Sequence, residues 1–216
     1  MAIKSKPQKA GLFGAAMANL SIILMSINIQ AGDKEWTSEQ EVTICIESGI
    51  TGESGLAQKM AIGMFADIGV MVEFYEEGKC PAKEQGMIHI HLDTGVPAER
   101  FPGALAYAMP YEGIHIEMFA DRIRKMIGPQ KMHVLLAHVL VHEITHILQG
   151  VHRHSEKGIM KAKWEQEDFQ KMCWKPLSFT EKDIKLIHLG LEMQRSKAKG
   201  DKISTENRAQ ETPTVK

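Results

Sequence analysis

His138-Val-Leu-Val-His142-Glu143-Ile-Thr-His146-Ile-Leu-Gln-Gly150-Val-His152-Arg-His154-Ser155 is the stretch on which the reading of this chain turns. Its first part fits a helix from about Gln130 to Gln149, with Gly150 as the natural C-terminal residue. His142 and His146 are four apart, so on a helix they lie one above the other on the same side. Two imidazoles so placed can hold one Zn²⁺ in the tetrahedral arrangement that zinc prefers. Glu143 comes next in sequence and about 100° around the helix, where it can act on a water at the metal without being a ligand. The flanks Val139, Leu140, Val141, Ile144, Ile147 and Leu148 are apolar and bury the helix on most sides. Burying His142, Glu143 and His146 among them is costly unless they are paired or bound to metal. The plainer reading is an amphipathic helix with surface histidines.

Outward from this helix, the chain reads as short strands with few helices. Val42, Ile44 and Ile46 alternate with Thr43 and Cys45, the period of a strand. Glu53 to Val70 carries an apolar helical stripe ahead of Gly69. Met71 to Tyr75 and Met87 to Leu92 read as further strands, as do Ala104 to Met109 and Gly113 to Phe119 around a hairpin-like break at Pro110-Tyr-Glu112. Thr180 with Asp183 three residues later resembles a capping box that opens a final helix to about Met193. His89 and His91 share one face of their strand and His115 sits in another; all three read as polar residues on half-exposed strands. No internal repeat is visible.

Twenty-six basic residues face 27 acidic ones among 216, a net charge of −1 that gives no electrostatic case for nucleic acid. Aromatics at 6% are too few for a base-stacking surface. Cys45, Cys80 and Cys173 are an odd count with no C-x-x-C pair, which argues against both a disulfide framework and a thiolate zinc site.

The ends differ from the middle. Lys4, Lys6 and Lys9 precede an apolar stretch from Leu12 to Ile29, and Ala31 offers a small residue at a possible cut. Residues 1–31 therefore read as a signal peptide and the protein as secreted or periplasmic, with a membrane anchor as the alternative. Asn19, Ser21, Ser26 and Asn28 make this stretch a poor permanent span. Residues 195–216 are rich in Lys, Glu, Thr, Gln and Ser and read as a disordered tail. The domain between is 32–194.

The histidine motif, the glycine that ends its helix, His154-Ser155 and the following Gly158-Ile159-Met160 together resemble the metzincins, zinc peptidases with an extended zinc motif and a methionine turn. The likeness is greatest to short bacterial metzincin-like proteins that read H-E-x-x-H, then Gly, then His-Ser and Gly-Ile-Met. It implies an α+β fold with a twisted mixed five-stranded sheet, an active-site helix and a small C-terminal helical subdomain. It also implies a zinc-dependent endopeptidase in which His142, His146 and a third histidine hold Zn²⁺. Glu143 would be the general base toward a metal-activated water, and Met160 the floor of the site. An extended peptide or protein substrate would pair with an edge strand near Leu105 to Ala108. The departure is in spacing: the family pattern asks for glycine at 149 and histidine at 152, whereas here Gln149 precedes Gly150. His152 has the family's count and His154 its downstream context; the later turn favours His154. His138, one turn before His142, reads as solvated or supporting. The rival readings are a catalytically silent zinc-binding protein with the same fold and a protein whose histidines bind no metal. No cysteine precedes the domain in a context that would mask the zinc. Oligomeric state is not legible.

Overall fold

The computed structural model describes residues 41–47, 53–82, 86–95, 97, 99, 101–109 and 114–210, with side chains to 200. Residues 1–40, which include the stretch read as a signal peptide, the break at 110–112 and residues 211–216 lie outside the described residues. Strands β1 (Glu41–Glu47), β2 (Met71–Glu76), β3 (Ile88–Asp93), β4 (Ala106–Ala108) and β5 (His115–Phe119) form one mixed sheet in the order β2-β1-β3-β5-β4. The first four in that order run parallel, and β4 pairs antiparallel to β5 as the edge strand. Alternation of the sequence sets the faces. Val42, Ile44, Ile46, Ile88, Ile90, Leu92, Ile116 and Met118 all point into the core.

That core is closed by α1 (Glu53–Ala66) and by α3 (Met132–Gln149). Nearly every residue of α3 is buried, only His133 being partly exposed. A helix that is apolar on all sides is stable only inside a protein, and here its polar residues are the histidines, Glu143, Thr145 and Gln149. Gly150 ends it in the left-handed conformation at φ 63°, which glycine adopts without a Cβ penalty.

Two short helices were not expected. The first, α2 (Ala120–Ile127), carries Asp121 in its first turn and Arg124 and Lys125 in its last, the charge order that suits a helix dipole. Its Arg122 guanidinium donates to the carbonyls of Pro97, Phe101 and Ala104. That clamp fixes the segment leading into β4. The second, α4 (Gln166–Met172), opens with a capping box between Glu165 and Asp168.

The final helix, α5 (Glu181–Gln210), starts where the Thr180–Asp183 pair places it but does not stop near Met193. Residues 195–210 are helical where the composition suggests a disordered tail. Lys, Ala, Glu, Arg and Gln dominate the segment, and they are strong helix formers once a packed first half has supplied the nucleus.

The cysteines also depart from the sequence reading. Cys45 on β1 and Cys80 in the turn after β2 are joined as a disulfide, with Cα atoms 5.6 Å apart, and Cys173 is free. An odd count does not prevent one pair from forming when strand register brings two members together. The crosslink spans 35 residues, worth roughly 4 kcal/mol in the chain-entropy view.

Candidate metal centre and cleft

Helix α3 delivers His142 and His146 with their rings 4.8 Å apart. Each ring is aimed by a backbone carbonyl: His142 Nδ1 donates to Ile159 O at 2.9 Å and His146 Nδ1 to Val151 O at 3.3 Å. With both Nδ1 atoms carrying the proton, both Nε2 atoms are bare lone pairs, and they face each other at 3.2 Å. Two acceptors at that distance repel unless a cation lies between their directions. Ligating histidines are oriented in this way, with the second nitrogen fixed by a carbonyl or carboxylate.

His154 completes the group. Its ring lies 5.3 Å from that of His142 and 5.0 Å from that of His146. One ring nitrogen from each of the three falls within 4.8 Å of the others. His152 is 4.7 Å from the His146 ring and 5.6 Å from the His154 ring, but it does not join that group. The donor set of three neutral imidazoles suits Zn²⁺ with a fourth position open.

Burial pushes the His142 ring down to about 4, and the charged forms of His154 and His152 would press it the same way against the Ile159 carbonyl. Burial and then His142 push His146 down to about 3. His154 is lowered for the same reason, with His152 and Arg153 adding. All three are therefore neutral at pH 7, the state in which imidazole binds a metal.

Glu143 is buried beside them. Burial pushes its carboxyl up to about 7, against the backbone N–H of Ala108, which donates to it and favours the charged form. The carboxylate thus touches edge strand β4. A cavity of about 540 Å³ opens between β4 and α3, lined among others by Ala106, Ala108, Glu143, His146, His154 and Trp164. A larger hollow of about 930 Å³ between residues 156 and 182 contains none of the histidines.

The turn after the helix is tied from three sides. Gly158 holds φ 79°, and a Cβ there would stand 2.3 Å from the carbonyl oxygen of Ser178. Only glycine fits. Ile159 N–H donates to that same carbonyl at 3.0 Å, and the Ile159 carbonyl aims His142. Met160 is fully buried, and its carbonyl accepts from Ser155 N–H at 2.7 Å.

Two contacts escaped the sequence reading, those of Asp183 and of Trp164. Asp183, besides capping α5, accepts from Arg153 at 2.8 Å and from Ser155 at 2.7 Å, so it holds both neighbours of His154. Burial raises its carboxyl, but the hydrogen bonds from Ser155, Thr180 and Arg153 outweigh this and leave it below the usual carboxylate range. Trp164 stands edge-on to His142 with centroids 5.5 Å apart. The capping-box spacing was the only signal for either of these. His138 is neither a ligand nor solvated: fully buried, it bonds Val134 O through Nδ1 and accepts Leu177 N–H at Nε2. It is a strut between α3 and the segment before α5.

No protein-family model matches the sequence, and no curated protein does either. Among solved structures, the protein is similar to the archaemetzincin of Methanopyrus kandleri, with a TM-score of 0.51 at 14% identity. The likeness covers 72% of this chain and 98% of that one. Identity this low speaks to fold alone. The protein has an archaemetzincin-like α+β fold, and its described residues bring a three-histidine zinc-site candidate together on that fold.

Proposed function

We propose that the protein is a zinc-dependent endopeptidase, with His142, His146 and His154 as the metal ligands and Glu143 as general base. The observation that carries this reading is the pair of bare Nε2 atoms 3.2 Å apart, each imidazole locked by its Nδ1 hydrogen bond, with a buried carboxylate alongside. Zinc held there supplies Lewis acidity toward a water molecule and the scissile carbonyl. Glu143 takes a proton from the attacking water as its oxygen adds to the carbonyl carbon. The same carboxyl returns that proton to the leaving nitrogen as the C–N bond breaks, so it ends as it began. A carboxyl raised by burial toward neutrality is suited to both halves of that exchange. Among the described residues β4 is the antiparallel edge of the sheet, and beyond the Ala108 N–H that Glu143 accepts, its backbone would align an extended substrate across the cleft.

The same proposal places the protein outside the cytoplasm, after removal of residues 1–31. Support comes from the lysine-flanked apolar segment and from the Cys45–Cys80 disulfide, a bond that persists in oxidising compartments. Among the described residues, no helix is long and apolar enough to cross a membrane.

The direct test is hydrolysis of an unfolded protein by purified enzyme before and after removal of metal by a chelator. Activity should vanish with the metal and return with one equivalent of Zn²⁺. Full metal binding without hydrolysis of any unfolded protein would identify a silent zinc-binding protein instead.

A further inference from the structure

The outer face of the sheet, away from the cleft, carries a second cluster of metal-ligating side chains. Strands β1 and β3 run parallel with Cys45 opposite His89, and Glu47 follows two residues later on the same face. One ligand atom from each of Cys45, Glu47 and His89 lies within 4.8 Å of the others. Glu47 Oε1 and His89 Nδ1 are 2.6 Å apart. Cys80 joins the group through its bond to Cys45, and all four residues line one cavity of about 500 Å³. His115 on β5 sets its ring 5.3 Å from that of His89, tilted by 31°.

We propose that Cys45, Cys80, Glu47 and His89 form a second, thiol-gated Zn²⁺ site, closed as a disulfide when oxidised and open to metal when reduced. Two thiolates, an imidazole and a carboxylate are a donor set that tetrahedral zinc accepts. Three of the four come from adjacent strands whose register is fixed by backbone pairing, so little chain ordering is needed on binding. Cys45 is buried, but Cys80 is partly exposed and gives a reductant its point of attack. A dithiol reductant delivers two electrons and two protons, becoming a disulfide itself while Cys45 and Cys80 become thiols. Zn²⁺ then displaces both thiol protons as it binds. In the reverse direction a small-molecule disulfide takes the two electrons and, with two protons from water, leaves as two thiols, while Cys45 and Cys80 re-form their bond and release the ion. This site does not depend on the peptidase reading.

The experiment is metal counting on the full chain carrying Cys173→Ser, so that no other thiol is present. Zinc per chain is measured after equilibration with a dithiol reductant and again after reoxidation. The reduced protein should hold one equivalent more than the oxidised one, and His89→Ala or Glu47→Gln should remove most of that difference. Substitution with Co²⁺ should give a thiolate charge-transfer absorption in the reduced form only, a signal that three histidines alone cannot produce. Equal zinc in both redox states overturns the proposal. So does an extra equivalent that is indifferent to both variants, which would mean zinc held by loose thiols. Neither result bears on hydrolysis at the first site.

Discussion

The carboxylate of Asp183 accepts a 2.7 Å hydrogen bond from the hydroxyl of Ser155, the residue that follows His154. The same oxygen accepts from Arg153, the residue that precedes it. A buried acid at the start of the last helix therefore grips the loop that carries the third candidate ligand from both sides. Asp183 is wholly buried, and removing one partner of a buried charged pair typically costs about 3–5 kcal/mol. Asp183→Ala should lower the free energy of unfolding by that amount, read from the midpoint and slope of chemical unfolding. The milder Ser155→Ala should leave the fold intact and weaken zinc binding by roughly 10- to 100-fold, the usual cost of losing a group that orients a ligand. Unchanged zinc affinity in Ser155→Ala would mean that His154 is not held by this network.

The ligand assignment itself is open to paired substitution. His154→Ala should lower zinc affinity by orders of magnitude and abolish hydrolysis, whereas His152→Ala should keep most of both. Isothermal titration of zinc-free protein measures the two affinities. The reverse ranking would make His152 the ligand.

Stability without metal should depend on pH in a defined window. His142 and His146 bind protons in the folded protein only near pH 4 and 3, but in the unfolded chain near pH 6.5. Between those values the two imidazoles leave the unfolded state with more protons, and Glu143, pushed up to about 7, offsets this only in part, so stability falls as pH drops below about 6.5. Asp183, whose carboxyl is also held low, adds a further loss below about pH 4. Thermal melting of chelator-treated protein should show Tm dropping steadily from pH 6.5 toward pH 4. A flat Tm over that range would show that the two imidazoles are not buried as neutral groups.

Gly158→Ala tests the turn that aims His142. A Cβ at this position meets both a positive φ and the Ser178 carbonyl at 2.3 Å. The backbone must move, at a cost of about 2 kcal/mol or more. The Ile159 carbonyl moves with it, so zinc affinity should fall even where the variant still folds. Circular dichroism and zinc titration on the same sample separate the two effects.

Much of this was legible because local patterns and fold agree. The Val42–Ile44–Ile46 alternation became β1, and the apolar run around His142 and His146 became the most buried helix. Short elements were missed for a physical reason: α4 has seven residues, fewer than two periods of 3.6, and α2 follows β5 without a break. The Cys45–Cys80 bond and the Asp183 contacts join residues 35 and about 30 positions apart. No periodicity encodes such pairs; only the register of the sheet and the docking of α5 create them. The Thr180–Asp183 spacing did mark a helix start, but nothing in it foretold that the same carboxylate would reach back to Arg153 and Ser155.

The central claim is that Glu143 acts on water beside a metal it does not bind, and Glu143→Gln measures this most directly. Glutamine keeps the shape and can still accept the Ala108 N–H through its carbonyl oxygen, but it cannot take a proton. Hydrolysis of an unfolded protein and bound zinc per chain should be determined on one preparation of the variant and of the wild type. The account predicts loss of at least about 100-fold in hydrolysis, the low end of what a general base contributes, with zinc content and Tm nearly unchanged. A variant that retains wild-type hydrolysis, or that loses its zinc along with its activity, would contradict it.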